Sequence, residues 1–552
     1  MRSRKDCLRA SFSGQDHNRI REAHPFTNPM SLHLQSSPHF ELLRNYLRAA
    51  GYNEESLCDR LEIRDMCELA AHTGRPATPA MGSDELGLLI RLLLLGDDID
   101  RQQLESALSP RVVEAFTSLG LASLDPATEG RLFCPVAVYP IGPLFIVSDR
   151  WFPVVGKEFQ WSDDFVYPAI TPNTREFLAA LPVTPCDSFL ELCAGTGAAA
   201  MAASGYAQKS WAIDITERST QMAEFNRLLN GLDNVTVLKG DLYEGVEGTQ
   251  FDRIVAHPPY MPSLRATRVF ADGGADGEQI TRGIVTALPR FLKPGGTFYC
   301  LAQASDRQGA PLQQRLRGWL GEEQGDFDVA FIEMCQQDPK DAAFVYALKT
   351  GGGFAVVDLM RDSFASLGVE SLPYGWIVIQ RRNSPRSVFT TRRSAGPRIG
   401  REEIAWLLKW ETFAAGPSAL EDLQEKAPVV RPALEFHALH RMREGKLAPE
   451  QFSLHTEAPF FGDCKVQFWV GFLLPLCDGK STVRQLWEAC KTNNLIHAAT
   501  PLHEFARLIG VLISGGFLEV AAFYPPLPPQ KPEGQRRISA SLEIGHPAGA
   551  GR

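Results

Sequence analysis

The sequence has 11 cysteines but no Cys-x-x-Cys pair, so the ligand spacing of zinc ribbons is missing. The cysteines are scattered and odd in number, and Cys193, Cys300 and Cys477 stand inside apolar runs. Such thiols read as buried and unpaired, in a reducing compartment. The histidines show no metal-ligand spacing either, and no metal is expected. Long apolar runs are also absent. Leu86 to Leu95, interrupted by Arg91, and Phe468 to Cys477, interrupted by Pro475, fall short; a membrane span needs ~20 residues. Arg2, Arg4 and Lys5 lead into no apolar segment of the kind a secretory signal requires. A cytoplasmic location, with no membrane partner, is expected. Cationic excess is lacking too. The net charge of −9 argues against a surface built wholly for nucleic acid, though not against a local basic patch.

What is present is an ordinary globular composition, 44% hydrophobic and 22% charged over 552 residues, long enough for several domains. Residues 1–37 are polar and aperiodic and read as a disordered tail. Residues 38–150 turn helical: Leu42, Leu43, Tyr46 and Leu47 share a face, and Gly51 marks a stop. Further helices are expected at 54–70, 83–96, 101–108 and 110–119, then strands at 131–138 and 143–148, an order like that of a winged helix. Residues 381–401 carry Arg381, Arg382, Arg386, Arg392, Arg393, Arg398 and Arg401 among Ser, Pro and Gly. This reads as a linker, either a solvated connector or a strip for phosphates. Residues 402–523 read as a second helical, winged-helix-like domain, and 524–552 as a Pro- and Gly-rich disordered tail. The aromatics between Trp161 and Tyr167, and Trp469 with Phe472, read as core.

Residues 151–380 read as one domain, within which 186–300 alternate strand and helix patterns. Strands are expected at Phe189–Cys193, Ser210–Ile213, Val235–Leu238, Phe251–Ala256 and Thr297–Ala302, with helices at Met201–Ser204, Glu217–Asn230 and Gln279–Phe291. Two further strands, Phe327–Met334 and Trp376–Gln380, make seven. This is an α/β fold, a Rossmann-like seven-stranded core with helices on both faces.

The first chemical signal is Phe189-Leu190-Glu191-Leu192-Cys193-Ala194-Gly195-Thr196-Gly197, a buried strand running into a glycine turn and a small-residue helix. Glycines admit a ligand close to the backbone, and the helix start offers free N–H groups. Gly195-x-Gly197-x-x-Ala200, with Asp214 downstream, also fits the dinucleotide fingerprint. Three acids favour another ligand. Glu191 at the strand end would repel a pyrophosphate but suits a cationic group. Asp214 and Asp241 end or follow the next two strands, where ligands of open parallel sheets bind, and are placed to accept from ribose hydroxyls and an adenine amine.

The most specific signal is His257-Pro258-Pro259-Tyr260, directly after the fourth strand. With it, residues 173–380 resemble the class I S-adenosylmethionine (SAM)-dependent methyltransferases of the small-domain type. These include release-factor glutamine methyltransferases and ribosomal-RNA guanine methyltransferases, whose motif at this place is Asn-Pro-Pro-Tyr or Asn-Pro-Pro-Phe. Ile170 to Glu176, Asp272-Gly273-Gly274 to Glu278, and Pro294-Gly295-Gly296 are similar as well. The resemblance implies SAM as cofactor, held by Thr174, Glu191, Cys193, Gly195, Thr196, Gly197, Asp214 and Asp241. It implies a planar amine or amide as acceptor, in RNA or protein or a small molecule, held by His257, Pro258, Pro259 and Tyr260, with Tyr260 stacking on the planar group. His257 departs from the family's Asn. It stands to orient an amine as Asn would, to act as a base for another acceptor, or to mark a lost activity. If its ring must accept a hydrogen bond, activity is expected to fall below about pH 6.5. An NAD(P)-dependent oxidoreductase and a non-catalytic nucleic-acid-binding protein on the same scaffold remain the alternatives.

Overall fold

The computed structural model describes residues 32–35, 37–71, 82–124, 130–151, 162–262, 269–350, 353–397 and 399–520. The C-terminal tail expected at 524–552, nearly all of the N-terminal one, Trp161 and Arg398 lie outside the described residues.

Five parallel strands hold the centre. β1 (Cys186–Leu192), β2 (Ala207–Asp214), β3 (Val235–Lys239), β4 (Phe251–Ala256) and β5 (Leu292–Gln303) pair in the order β3-β2-β1-β4-β5. Their central residues are apolar toward both faces because helices cover both; Leu190, Ile254 and Phe298 are fully buried. β6 (Phe327–Gln337) and β7 (Val369–Arg381) complete the seven, with β7 antiparallel to β5 and β6. The main crossover helices are α1 (Ala198–Ala203), α2 (Glu217–Asn230) and α3 (Gln279–Phe291). α2 starts where Thr216 Oγ1 accepts from the Ser219 N–H at 3.0 Å and stops at Gly231, φ 65°. β1 lies between β2 and β4, so the chain leaves β1 and β4 in diverging directions and opens a crevice at their carboxyl ends.

The sheet does not stop at seven strands. Part of the arginine-rich stretch forms β8 (Thr390–Ser394), parallel to β6 at the edge, and Asp306–Arg307 adds a short strand on β7. Residues 390–394 are therefore strand and not free linker, and the arginines described in this stretch are engaged by groups of the chain itself. Arg386 pairs with the fully buried Asp328, Arg392 with Asp306 and Glu333, and Arg393 with Glu411 at 2.7 Å. Arg381 donates to the carbonyls of Pro289 and Leu292, each at 2.8 Å. Composition alone suggested solvation; the acids that neutralise these side chains come from strands far away in sequence (Asp306, Asp328, Glu333) and from the helix that follows (Glu411).

The expected strand 131–138 is two strands. Pro135, which has no N–H to give a ladder, separates Arg131–Phe133 from Ala137–Ile141. The first joins Ile99–Asp100 and Ser123–Leu124 beside the helices Arg101–Leu108 and Pro110–Ser118. The second forms a hairpin with Leu144–Ser148 that packs on α2. The C-terminal part, expected to be helical, contains an antiparallel sheet of β9 (Glu435–Arg443), β10 (Lys446–Thr456) and β11 (Gly462–Val466). Helices Val483–Thr492 and Leu502–Ser514 follow, and Leu518–Val520 pairs back onto Pro428–Val430. Polar residues on both faces of β9 hid it from a search for apolar alternation.

Candidate active site

β1 ends in a tight turn. Cys193, Gly195 and Gly197 all have positive φ, 53°, 53° and 73°. The two glycines serve different ends. A Cβ on Gly195 would meet nothing within 4 Å, and this glycine faces an open cavity of about 370 Å³. A Cβ on Gly197 would sit 3.1 Å from Met201 Cε and 3.3 Å from Ala223 Cβ, so that glycine lets α1 and α2 close on one another.

Asp214, at the end of β2, fixes the turn. Its Oδ2 accepts from the Gly195 N–H at 2.8 Å, and its Oδ1 accepts from the Thr216 N–H at 3.0 Å and hydroxyl at 3.2 Å. Asp214 lines the cavity with Cys193, Gly195, Asp241, His257 and Pro259, which come from the ends of four successive strands. Asp241 is exposed.

Other expected residues stand elsewhere. Glu191 is buried behind the turn, with its carboxylate accepting from the N–H groups of Ala199 (3.2 Å) and Ala200 (2.7 Å) at the start of α1. It caps that helix and does not face the cavity, a correction to the reading in which it meets a cationic ligand directly. Burial pushes its pKa up to about 8, against the pull of the two N–H donors. Thr196 is buried, its carbonyl accepting from Asn226 Nδ2 at 3.0 Å. The Thr174 hydroxyl bonds that of Thr171 at 3.2 Å, and Thr174 lies off the cavity wall.

The His257 ring is on the wall, and no group among the described residues hydrogen-bonds to it. Aromatic rings flank it. Phe177 lies 5.4 Å away and is itself stacked on Trp376 at 5.8 Å and 7°. Tyr260 lies 6.4 Å away at 23° and touches Tyr374 at 5.7 Å. Pro258 is buried and Tyr260 half-buried beside the imidazole, which Tyr260 supports; neither lines the cavity itself. This setting lowers the His257 pKa to about 4 through desolvation, leaving the ring neutral well below its ordinary range.

The facing wall holds residues the sequence reading did not single out or placed in the core. Phe165 and Tyr167 line the cavity with Phe270, whose ring is 5.4 Å from Phe165 and 6.2 Å from Tyr167. Asp149 Oδ2 holds this segment by accepting from the Val166 N–H at 2.8 Å and from Arg218 Nε at 2.9 Å. Gln279 and Ile280, at the start of α3, complete that side. Their loop is tied down by the fully buried Glu278, which Arg307 and Arg315 neutralise and Ser305 donates to.

A seven-strand order with one antiparallel member, a glycine turn after the first strand and a His-Pro-Pro-Tyr turn after the fourth define a class I methyltransferase scaffold. The family profile described as methyltransferase small domain matches residues 164–324, and a domain of unknown function (DUF7059) matches residues 49–131. The ribosomal protein uL3 glutamine methyltransferase of Bordetella pertussis is 30% identical over 257 residues, covering 43% of this chain and 82% of that protein. The release factor glutamine methyltransferase of Moorella thermoacetica is 28% identical over 241 residues, covering 38% and 81%. The uL3 glutamine methyltransferase of Bradyrhizobium diazoefficiens is 28% identical over 169 residues, covering 28% and 53%. The chain belongs to the class I SAM-dependent methyltransferases of the small-domain type. It spans somewhat over half the length of the first curated relatives it matches. No helix among the described residues is long and apolar enough to cross a membrane.

Proposed function

We propose that this chain methylates the side-chain amide nitrogen of a glutamine in a protein, with SAM as methyl donor. The observation that carries this reading is the neutral His257 ring on the cavity wall, without a hydrogen-bond partner among the described residues and one strand away from the Gly195–Asp214 turn. The names of the relatives support a protein acceptor over RNA, and a site of action in the cytoplasm, where translation factors and ribosomal proteins are found.

The residues present fit the cofactor. Gly195 leaves the space a Cβ would fill, and Asp214 keeps acceptor capacity for ribose hydroxyls beyond its three protein donors. Asp241 stands free to accept from an adenine amine, and Phe165, Tyr167 and Phe270 give an apolar flank. When bound, SAM supplies the electrophilic methyl on its sulfonium.

An amide nitrogen is a poor nucleophile because its lone pair is delocalised. The chain must therefore hold the amide plane so that the lone pair lies in line with the methyl group. A neutral imidazole has one acceptor nitrogen, which takes one amide N–H, while its other nitrogen donates. Tyr260 and Phe177 keep the ring from turning. Such positioning contributes several kcal/mol, up to ~7–11 in the best cases. A ring with a pKa of about 4 is a weak base, which favours orientation over proton removal. The nitrogen gains the methyl and releases its proton to water.

The test uses methyl-labelled SAM, the full chain and fractionated bacterial proteins and RNA, with mass spectrometry to place the label. A methyl on a glutamine side chain, lost in His257→Ala and kept in His257→Asn, is expected. Label confined to RNA, or transfer unaffected by His257→Ala, would overturn the reading.

A further inference from the structure

β9 and β10 project as a ribbon whose outer strand has no further strand beside it among the described residues. All nine residues of β9 are exposed, and among the described residues its only strand partner is β10. One face of the ribbon is mostly apolar, with His440 its polar member on β9: Phe436, Met442 and Leu447 are 37%, 62% and 68% exposed. Met442 and Leu447 are cross-strand neighbours, so they point the same way. An open edge next to exposed apolar side chains is a template for another strand, and a lone two-stranded ribbon is marginal in water. The one irregularity in the pairing leaves two residues of β10 opposite the Leu439–His440 step, so β9 itself runs without a bulge.

The order of residues along β9 selects the partner. The sequence Glu435-Phe436-His437-Ala438-Leu439-His440-Arg441-Met442-Arg443 is complementary to itself when reversed about Leu439. Glu435 then faces Arg443, Phe436 faces Met442, Ala438 faces His440 and Leu439 faces Leu439. His437 faces Arg441, whose guanidinium already bonds Glu450 at 2.7 Å. The present partners of the outer pair, His437 for Glu435 and Glu450 for Arg443, are exposed intrachain contacts that yield easily.

We propose that β9 pairs antiparallel with β9 of a second copy of this chain, about a twofold axis at Leu439. The pairing is isologous, so each favourable pair forms twice. It also explains a second open feature. Phe436 lies at the rim of an apolar groove of about 680 Å³, lined in part by Leu434, Phe468 and Phe472. In the reversed register the partner's Met442 and ribbon tip arrive at Phe436 and Leu434, at the mouth of that groove. One occupant pairs the open edge and reaches the mouth of the groove.

The test is sedimentation velocity on the full chain from low to high micromolar concentration. The wild type is expected to be a dimer. Glu435→Arg and Arg443→Glu are each expected to weaken it about tenfold or more, since two attractive cross-strand pairs become repulsive, and the double variant to restore it. Leu439→Lys, which puts like charges at the axis, is expected to give monomer, and circular dichroism checks that each variant is folded. A wild type that stays monomeric, single variants without effect, or a double variant no better than the singles would each overturn the proposal.

Discussion

Asn226 of α2 and Val147 of the N-terminal hairpin exchange two hydrogen bonds. The Val147 N–H donates to Oδ1 at 2.7 Å, and Nδ2 donates to the Val147 carbonyl at 3.1 Å. One turn later Asn230 makes the same pair with Phe145, at 2.9 and 2.7 Å. Two side-chain amides thus stand in for a neighbouring strand along the hairpin edge. Asn226 Nδ2 also donates to the Thr196 carbonyl in the glycine turn. Asn226→Leu is expected to cost about 2–4 kcal/mol, because the buried Val147 groups lose their partners. Urea unfolding measures this; a midpoint within experimental error of wild type would contradict it.

His257 governs a different pH window from the one its type suggests. With a folded pKa of about 4 against the ordinary 6.5, the folded state binds fewer protons than the unfolded chain between those values. Stability from this group is complete above pH 6.5 and is lost as pH falls through 4, by about 3 kcal/mol in all. Methyl transfer, once its substrate is in hand, is expected to show no His257 ionisation between pH 5 and 8. This replaces the expectation of a fall below about 6.5. An NMR titration of the His257 ring that finds a midpoint near 6.5 would refute it.

Gly195→Ala and Gly197→Ala should separate binding from stability. Both place an L residue at positive φ, which costs roughly 1–2 kcal/mol. Gly197→Ala also drives a methyl against Met201 and Ala223 and is expected to lower the melting temperature more. Gly195→Ala puts its methyl into the cavity and is expected to weaken SAM more. Calorimetry with SAM and thermal unfolding, run on both variants, decide; the reverse ranking would mean the two roles are misassigned.

Asp214→Ala removes the acceptor for the Gly195 N–H as well as a cavity carboxylate. SAM affinity is expected to fall tenfold or more, a loss of about 1.4 kcal/mol at least. Unchanged affinity in titration calorimetry would show that the cofactor lies elsewhere.

Arg386→Met tests the edge strand. It leaves the Asp328 carboxylate fully buried without its ion pair, for which about 3–5 kcal/mol is the usual cost. Near-wild-type stability would mean that the stretch around β8 is the free connector its composition suggests.

The central sheet was legible because its strands are buried on both faces and separated by turns and capped helices; all seven expected strands are present. The cavity acids were legible from their places after successive strands. Glu191 was misplaced because strand position tells where a carboxylate starts and not which way it turns, and the free N–H groups of α1 lie nearer than any ligand. Phe165, Phe270 and Gln279 carry no local signal, since they reach the site only through loop paths set by Asp149, Arg218 and Glu278. Asn226 and Asn230 did leave a trace: two amides four residues apart on the buried face of a helix, with nothing in sequence to satisfy them.

The amide ladder also bears on modularity. The small-domain profile begins at residue 164, yet the hairpin that α2 grips ends at Ser148, and Asp149 anchors the cavity wall. A fragment cut at 164 would expose Asn226 and Asn230 as unmatched amides and release the segment bearing Phe165 and Tyr167. The core and the hairpin before it are therefore tied together by these amides, and recombining this core with another family member's leading domain is expected to require carrying the hairpin across as well.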